Sequence, residues 1–305
     1  MLKNLETINV DNVSEKYVPL ISICIPVFNG EKYIRETIES IIMQNYPSIE
    51  ILIQDNSSTD NTWSILQSMT QKYPQINIQQ NLTNIGMTNN WNLVTSRACG
   101  DYIMLIGADD FLERNFLFEC INIFKNNNVD VVTTDHFVLY QFNGKKKKRS
   151  LRAPIMKFPI IIKEGIYQNF AGLVLKCNPF SINFTIFSKE TFQQLSNNDK
   201  FFTRNLYACD FDLWIRLGLS GKKVYYINKP LATYRRHDQN ISFNQSTKMS
   251  KQASIIVLSH KKALRKFCLF SYKAFLLIII ARCCKSKDLV CKKRLLRVSL
   301  KELFF

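Results

Sequence analysis

Acidic side chains follow two separate apolar runs of this 305-residue chain, at the points where strands would end. Asp55 comes directly after the run 49–54, and Asp109 and Asp110 come soon after the run 101–106. Ligands of an open parallel sheet bind beyond the carboxyl ends of its strands, so these carboxylates are expected to border one crevice. Carboxylates bind divalent cations and remove protons from hydroxyl groups. The spacing therefore predicts a site for metal-assisted or base-assisted chemistry.

Phosphate-binding loops of the usual kinds are missing from the sequence. No GxGxxG follows the first apolar run, and no GxxxxGK[ST] occurs in the chain. A nucleotide diphosphate bound without such a loop needs another source of positive charge, which a carboxylate-bound divalent cation provides. An Asp-Asp pair in a loop is more often a helix cap or a solvated turn. The position of Asp109 and Asp110 after a buried strand is what favours a metal site.

The pattern of apolar residues predicts the elements that would form this crevice. Short β-branched runs alternate with segments of helical spacing between residues 20 and 133. This alternation indicates an α/β fold with a doubly wound, mostly parallel sheet and right-handed crossovers. Strands are predicted over 20–27, 49–54, 76–80, 101–106 and 129–133, and helices over 31–44, from a cap at Thr59 or Asp60 to Lys72, over 87–98 and over 114–126.

The second half is predicted to be less regular and richer in strands. An Asn-Gly turn and the basic run 145–149 lie between 135–142 and 149–155, which predicts a β-hairpin with a basic tip. We expect this small antiparallel part to pack on the same sheet and to bind a second substrate. Further strands are predicted over 182–187, 224–227 and 231–234, and a helix over 210–219.

The net charge of +17 is concentrated at the C-terminal end. Residues 251–305 contain 14 Lys and Arg against two acidic residues, so the remainder of the chain is close to neutral. Charge of one sign at one end predicts contact with an anionic surface, either a membrane or a nucleic acid. The predicted organisation is a polar arm over 1–18, an α/β domain over 19–245 with halves 19–134 and 135–245, and a basic helical tail over 246–305.

The most apolar part of the tail, 267–281, is shorter than the roughly 20 residues that a membrane-spanning helix needs, and it contains Lys273. We favour an amphipathic helix that lies on an anionic membrane. The alternative is a helix that packs on the protein's own core. The aromatic residues of the tail lie within this apolar stretch rather than between its basic residues, which argues against a nucleic acid as partner.

Cysteine usage and the N-terminus indicate the compartment. The nine cysteines are odd in number and scattered, and none forms a CxxC pair, so we expect thiols in a reducing compartment. The first residues carry no signal-peptide core. Together with the basic tail, these features predict a cytoplasmic protein that is peripheral on the inner face of the cell membrane.

Four segments resemble, in this order, the motifs of family 2 glycosyltransferases with the GT-A fold, of the bacterial surface-polysaccharide type. They are ISICIPVFNGEKYIRETIESIIMQNYPSIEILIQDNSSTDNT, GDYIMLIGADDFL, DFDLWIRL and RRHDQNIS, and they span about 19–242. The resemblance implies an enzyme that transfers a sugar with inversion from a nucleotide-diphosphate sugar, a UDP-sugar being favoured. The acceptor would be a hydroxyl group of a glycan or lipid-linked molecule, and the cofactor Mn²⁺ or Mg²⁺.

The resemblance also implies roles for individual residues. Asp210 occupies the position of the general base, and Asp110 and His237 would contact the metal. The nucleotide of the donor would contact Pro26, Phe28, Asn29, Asp55, Asn84, Gly86 and Asp109.

The sequence departs from the family's pattern near both acidic motifs. An acid is often found where this chain has Gly107, and an acid usually stands at Asn56 and at Cys209. The division of ribose and metal contacts between Asp109 and Asp110 therefore stays open.

The choice of Asp210 as general base and the assignment of a glycosyltransferase function each have alternatives. Asp212 lies two residues beyond Asp210, and on a helix only one of the two can face the crevice well. A nucleotidyltransferase would need a glycine-rich basic loop after the first strand, which FNGEKYIRE does not supply. A nucleic-acid-binding protein or an inactive homologue that acts through its basic tail is the remaining alternative.

Overall fold

A computed structural model describes residues 17–149, 161–198, 200–204, 206–285 and 299. The predicted arm therefore lies outside the described residues, apart from its last two. The same holds for 150–155 of the predicted hairpin and for most of the tail beyond residue 285.

The first half is the predicted alternation of strands and helices. Strands β1 to β4 are parallel and lie in the order β3-β2-β1-β4. This order confirms a doubly wound sheet, because the chain moves first to one side of β1 and then to the other. The elements are β1 (Ile21–Val27), α1 (Ile34–Ile42), β2 (Ile49–Asp55), α2 (Thr62–Lys72), β3 (Ile76–Gln80), α3 (Met87–Ser96) and β4 (Tyr102–Leu105).

The second half extends the same sheet in the order β4-β9-β6-β10-β5. Strand β9 runs antiparallel to both of its neighbours, whereas β6 and β10 are parallel to each other. The elements are β5 (Phe111–Leu112), α4 (Phe116–Asn126), β6 (Val131–Tyr140), β7 (Lys145–Lys148), β8 (Gly165–Tyr167), α5 (Ala171–Cys177), a 3-10 turn (Ile182–Phe184), β9 (Thr185–Ser188), α6 (Lys189–Leu195), α7 (Cys209–Leu219) and β10 (Val224–Arg236).

Three predicted boundaries in this half are wrong. The separate strands expected over 129–133 and 135–142 are one strand, β6, and those expected over 224–227 and 231–234 are one strand, β10, with register shifts on either side of Pro230. The basic residues do not form the hairpin tip. They form its second strand, β7, because extended lysine side chains can alternate between the two faces of an edge strand.

Apolar side chains cover both faces of the sheet. Along β1, Ile23 and Ile25 contact the helices α1, α2 and α4, whereas Cys24 points to the opposite side. That opposite side is covered by α3, α5 and α7 and contains the buried Trp214. Gly218 permits the close approach of α7 to α5, because a Cβ atom there would lie 2.5 Å from the backbone nitrogen of Ala171.

The described part of the tail packs on this second core. It comprises α9 (Ser246–Ser259) and α10 (Lys261–Lys285), with a break in the helical backbone at Cys268, and the short α8 (Ile241–Asn244) precedes it. Its side chains Ile256, Val257, Leu264, Tyr272 and Leu276 are fully buried in the core that α5 and α7 share.

This packing corrects the preferred interpretation of the stretch 267–281. Tyr272 and Leu276 are buried by the protein itself, as in the alternative, because α10 packs on the apolar surfaces of α5 and α7. Phe267 and Leu269 of the same helix are exposed, and their contact with a membrane stays a prediction. Across the described residues, the helices are too short or too polar to span a bilayer.

Candidate active site

The loop after β1 is fixed against the loop after β2. Asn29 has a left-handed backbone (φ 53°), and its N–H donates to Ser58 Oγ at 2.8 Å while its Oδ1 accepts from the N–H of Thr59 at 2.8 Å. The ring of Phe28 is about half exposed beside this loop, whereas Pro26 is buried within β1. The two loops therefore form one rigid rim with an aromatic ring on it.

Asp55 ends β2 and is completely buried. Its carboxylate accepts hydrogen bonds from the N–H and hydroxyl of Ser58 and, at 2.8 Å, from Nε2 of Gln80. These bonds hold the rim in place. The predicted contact between Asp55 and a nucleobase stays a prediction, and it requires Ser58 or Gln80 to move.

A set of side-chain amides fixes the loop between β3 and α3. Asn56 donates to Asn84 Oδ1 at 2.9 Å and accepts from Asn81 Nδ2 at 2.9 Å, and Asn84 Oδ1 also accepts from the N–H of Gly86. Gly86 has φ 83° and precedes the first turn of α3, where it provides no capping side chain. The N–H groups of that turn are therefore not capped by this residue.

The two aspartates after β4 have different environments. Asp110 is completely buried, and its carboxylate accepts from Asn183 Nδ2 at 2.7 Å and from the main-chain N–H of Arg235 at 2.9 Å. Burial raises the pKa of Asp110 well above its usual range, and the charge of Asp109 raises it further. Asp110 therefore holds β10 and the 3-10 turn against the end of β4.

Asp109 is the accessible member of the pair, with about 30% of its side chain exposed. Its Oδ2 lies 2.9 Å from His237 Nε2 and accepts from Asn240 Nδ2 at 3.0 Å. The imidazole of His237 also packs on the ring of Tyr33, with centroids 4.9 Å apart. The structure thus brings Asp109 and His237 together, and it separates Asp110 from solvent.

Arg235 connects these groups, although the sequence analysis gave it no role. Its Nε donates to the carbonyl oxygen of Asp109 at 2.9 Å, Nη1 donates to Gln141 at 3.0 Å, and Nη2 pairs with Glu36 at 2.5 Å. The guanidinium lies 4.7 Å from the ring centroid of Tyr33. The motif RRHDQN contains this arginine, but only the fold reveals its contacts.

The residues present fit a divalent cation that the substrate helps to bind. Within the ranges that the structure describes, no three His, Cys, Asp or Glu side chains are grouped as metal ligands. Asp109 and His237 can supply one oxygen and one nitrogen. Mg²⁺ is commonly held by one or two carboxylates together with substrate phosphates, and Asp109 would supply such a carboxylate.

The structure separates the two candidate bases on α7. Asp212 is buried and contacts Arg204 at 2.9 Å, Arg216 at 3.0 Å and His260 at 2.9 Å. Although burial opposes the change, hydrogen bonds and positive charges from His260 and Arg216 lower its pKa to about 2. A carboxylate with these partners stabilises the fold and is a poor proton acceptor.

Asp210 lies in a different environment from Asp212. It is partly exposed, it lines a cavity, and its Oδ1 accepts from the N–H of Phe211 at 2.8 Å. Burial raises its pKa above the usual 3.8. The hydroxyl of Thr88, two residues after Gly86, donates to the carbonyl of Leu206 at 3.2 Å. This bond ties the start of α3 to the segment that leads into Asp210.

Comparisons with known proteins identify the family of the chain. The sequence profile of Glycosyl transferase family 2 matches residues 22–192, more than half of the chain. The chain is 25% identical to glycosyltransferase GlyG of Streptococcus pneumoniae over 73% of its length and 72% of that protein. It is also 25% identical to the UDP-Glc:alpha-D-GlcNAc-diphosphoundecaprenol beta-1,3-glucosyltransferase WfaP of Escherichia coli, over 83% of its length and 92% of that protein.

Solved structures share the fold. The S. aureus TarS 1-349 complex with UDP-GlcNAc has a TM-score of 0.61 at 18% identity, covering 93% of this chain and 72% of that one. The mannosyltransferase PcManGT of Pyrobaculum calidifontis, in complex with GDP-Man and Mn2+, has a TM-score of 0.58 at 15% identity, covering 95% of this chain and 82% of that one. With its profile match, its related glycosyltransferases and its α/β sheet, the chain belongs to glycosyltransferase family 2, has the GT-A fold, and is a glycosyltransferase.

Proposed function

We propose that the protein transfers a sugar with inversion from a nucleotide-diphosphate sugar to a hydroxyl group of a glycan or lipid-linked acceptor. One observation carries this proposal. Asp210 is a partly exposed carboxylate without a cationic partner among the described residues. Asp212, two residues on, pairs with Arg204, Arg216 and His260. An inverting transfer needs one such base, which takes the acceptor's proton as the hydroxyl oxygen attacks the anomeric carbon.

The donor is proposed to bind at the rim formed by the loops after β1, β2 and β3. Phe28 would offer a ring face to the nucleobase of the donor. Asn29, Asp55 and Asn84 would offer hydrogen-bonding groups. The N-terminus of α3, which starts after Gly86, favours a diphosphate because its N–H groups carry partial positive charge. We favour a UDP-sugar, since the names of the Escherichia coli relative and of the TarS complex contain UDP-sugars.

Asp109 and His237 are proposed to hold Mn²⁺ or Mg²⁺ together with the donor diphosphate, and the pyrobaculum neighbour was solved with Mn2+. The cation would stabilise the negative charge that the leaving diphosphate gains. Arg235 keeps the Asp109 backbone and the Asp110 carboxylate in place. The sequence predicted Asp110 to be a metal ligand. We propose instead that it stabilises the loop after β4, because its two carboxylate oxygens already accept hydrogen bonds.

The exposed side of α10 is proposed to rest on an anionic membrane at the inner face of the cell membrane. This helix exposes Lys262, Lys266 and Lys273 as well as Phe267 and Leu269. Basic and apolar side chains together suit the headgroup region of a bilayer. Replacing the three lysines by Glu should abolish sedimentation with vesicles rich in anionic lipid, and unchanged sedimentation would refute this placement.

The stereochemistry of donor hydrolysis tests the proposed reaction. The protein is incubated with UDP- and GDP-sugars and Mn²⁺, and the anomer released first is identified by NMR. An α-linked donor should give the β-anomer, and Asp210→Asn should slow the release about 10²- to 10⁴-fold, the usual contribution of a general base. Release of the α-anomer would exclude inversion, and an unchanged rate in Asp210→Asn would exclude Asp210 as the base.

A further inference from the structure

A cavity of about 260 Å³ lies between the catalytic domain and the tail. Helices α5 and α7 form one side, and α9 and α10 form the other. Most of the residues that line it are apolar, among them Val174, Leu175, Phe211, Met249, Ala253 and Phe275.

The lining also contains four polar side chains, those of Lys176, Asn178, Asp210 and Ser250. Asp210, the proposed base, lines the cavity, and so does Asn178, which caps α5 with a left-handed backbone (φ 38°). Asn178 Oδ1 is buried and has no hydrogen-bond partner among the described residues. A buried acceptor without a partner is costly, and this atom lies behind the surface of the cavity.

Helices α9 and α10, which form the tail side of the cavity, contact α7 and the residue that precedes it. Gln252 Oε1 accepts from the N–H of Ala208 at 3.3 Å, two residues before Asp210. The ring of Phe275 stacks near that of Phe211 with centroids 6.2 Å apart. The position of α9 and α10 is therefore coupled to the N-terminal end of α7, where Asp210 lies.

We propose that this cavity binds an apolar group, an alkyl or isoprenyl chain, carried by the acceptor close to the hydroxyl that reacts. The assignment rests on the proposed function, since it uses Asp210 as the base. The sugar hydroxyl would lie at Asp210, and the chain would run between Met249 and Phe275. The tail is thus part of the acceptor site.

The chemistry of the lining favours an apolar occupant over further sugar units. Sugars present hydroxyl groups, which need partners, and the walls of the cavity offer few besides Asp210, Asn178, Lys176 and Ser250. An apolar chain would instead gain free energy by leaving water. It would also exclude water from the surroundings of Asp210, which favours transfer to the acceptor over hydrolysis of the donor.

The test measures binding of methyl, butyl, hexyl and octyl β-D-glucopyranoside to the full chain, below micelle-forming concentrations. Ala253→Trp fills the cavity, and Ile255→Trp places the same ring on the exposed side of the same helix. We expect octyl glucoside to bind wild type and Ile255→Trp at least tenfold more tightly than methyl glucoside. Ala253→Trp should bind the whole series with one weak affinity.

Two results would overturn the proposal. Affinity that does not change with chain length in wild type would exclude an apolar group, and an unaltered dependence in Ala253→Trp would exclude this cavity. Titration of UDP and GDP with Mn²⁺ into the same three proteins separates this failure from failure of the proposed function. If the protein binds a nucleotide but its affinity for the glucosides does not change with chain length, the proposed cavity is refuted and the proposed function is not. A cavity-dependent series without binding of either nucleotide refutes the assignment of its occupant to an acceptor.

Discussion

His237 Nε2 lies 2.9 Å from Asp109 Oδ2, although 127 residues stand between them in the sequence. This contact joins the loop after β4 to the segment after β10. It pairs a nitrogen and an oxygen that can bind one cation. Neither residue alone distinguishes a metal site from an ordinary surface side chain, so their proximity is the basis of the proposed donor site.

Asp210 and Asp212 should respond oppositely to the same substitution. Asp210→Asn should reduce sugar transfer about 10²- to 10⁴-fold by removing a base, with little change in stability, because burial already disfavours its charge. Asp212→Asn should lower the free energy of unfolding by about 3 kcal/mol, because Arg204, Arg216 and His260 lose their shared carboxylate. Thermal melts and transfer assays on both variants check this. Equal losses of stability would contradict the division of roles.

The stability of the protein should decrease in acid partly through Asp212. Its folded pKa of about 2 lies below the usual 3.8, so its ionised form stabilises the fold above pH ~4. That contribution, about 2 kcal/mol, is lost as the pH falls from ~4 to ~2. Urea unfolding at several pH values measures it. An Asp212→Asn variant should show a smaller loss over this interval, and an identical loss would count against the prediction.

The rate of transfer should rise with pH on its acid side. Burial raises the pKa of Asp210, and only the ionised carboxylate can accept the acceptor's proton. The acid limb of kcat/KM should therefore have its midpoint above 3.8, the usual value for Asp. Rates are measured between pH 4 and 8 in a medium where the protein stays folded. A limb at or below the usual value would show that another group is titrating.

Arg235 should be required for the geometry of the acidic loop. Arg235→Lys keeps the charge but loses the planar group that contacts Asp109, Gln141 and Glu36 together. We expect a loss of about 2 kcal/mol in stability and at least tenfold weaker Mn²⁺-dependent nucleotide binding. Arg236→Lys, one residue on at an exposed position, is the matched control. Equal effects of the two variants would refute a special role for Arg235.

The first four strands could be predicted because their periodicity is strong and local. The runs that became β1 and β2 are apolar, short and followed by turn residues, and their observed bounds differ from prediction by one residue. Strand β9 was expected, but its antiparallel insertion between β4 and β6 was not. Its pairing depends on contacts between distant parts of the chain, and a sequence pattern does not encode them.

The candidate site could be predicted only in part, because its geometry also depends on contacts between distant parts of the chain. Asp109 and Asp110 are adjacent and chemically equal in sequence, and only burial shows that one is accessible and the other holds Arg235 and Asn183. Asp210 was preferred over Asp212 through resemblance, and the cations around Asp212 now give a physical reason. Short elements such as β5 and α5 carry too few residues for a periodic signal.

The central claim is that Asp109 and His237 form a metal-dependent donor site. Its most direct test is calorimetric titration of UDP and GDP, each with and without Mn²⁺, into wild type, Asp109→Asn and His237→Gln. Lys145→Gln, on the exposed edge strand, is the control. We predict that one nucleotide binds wild type and the control only with Mn²⁺, and that both site variants weaken this binding at least tenfold. Binding of equal strength without the metal, or in Asp109→Asn, would contradict a metal-dependent donor site at Asp109 and His237.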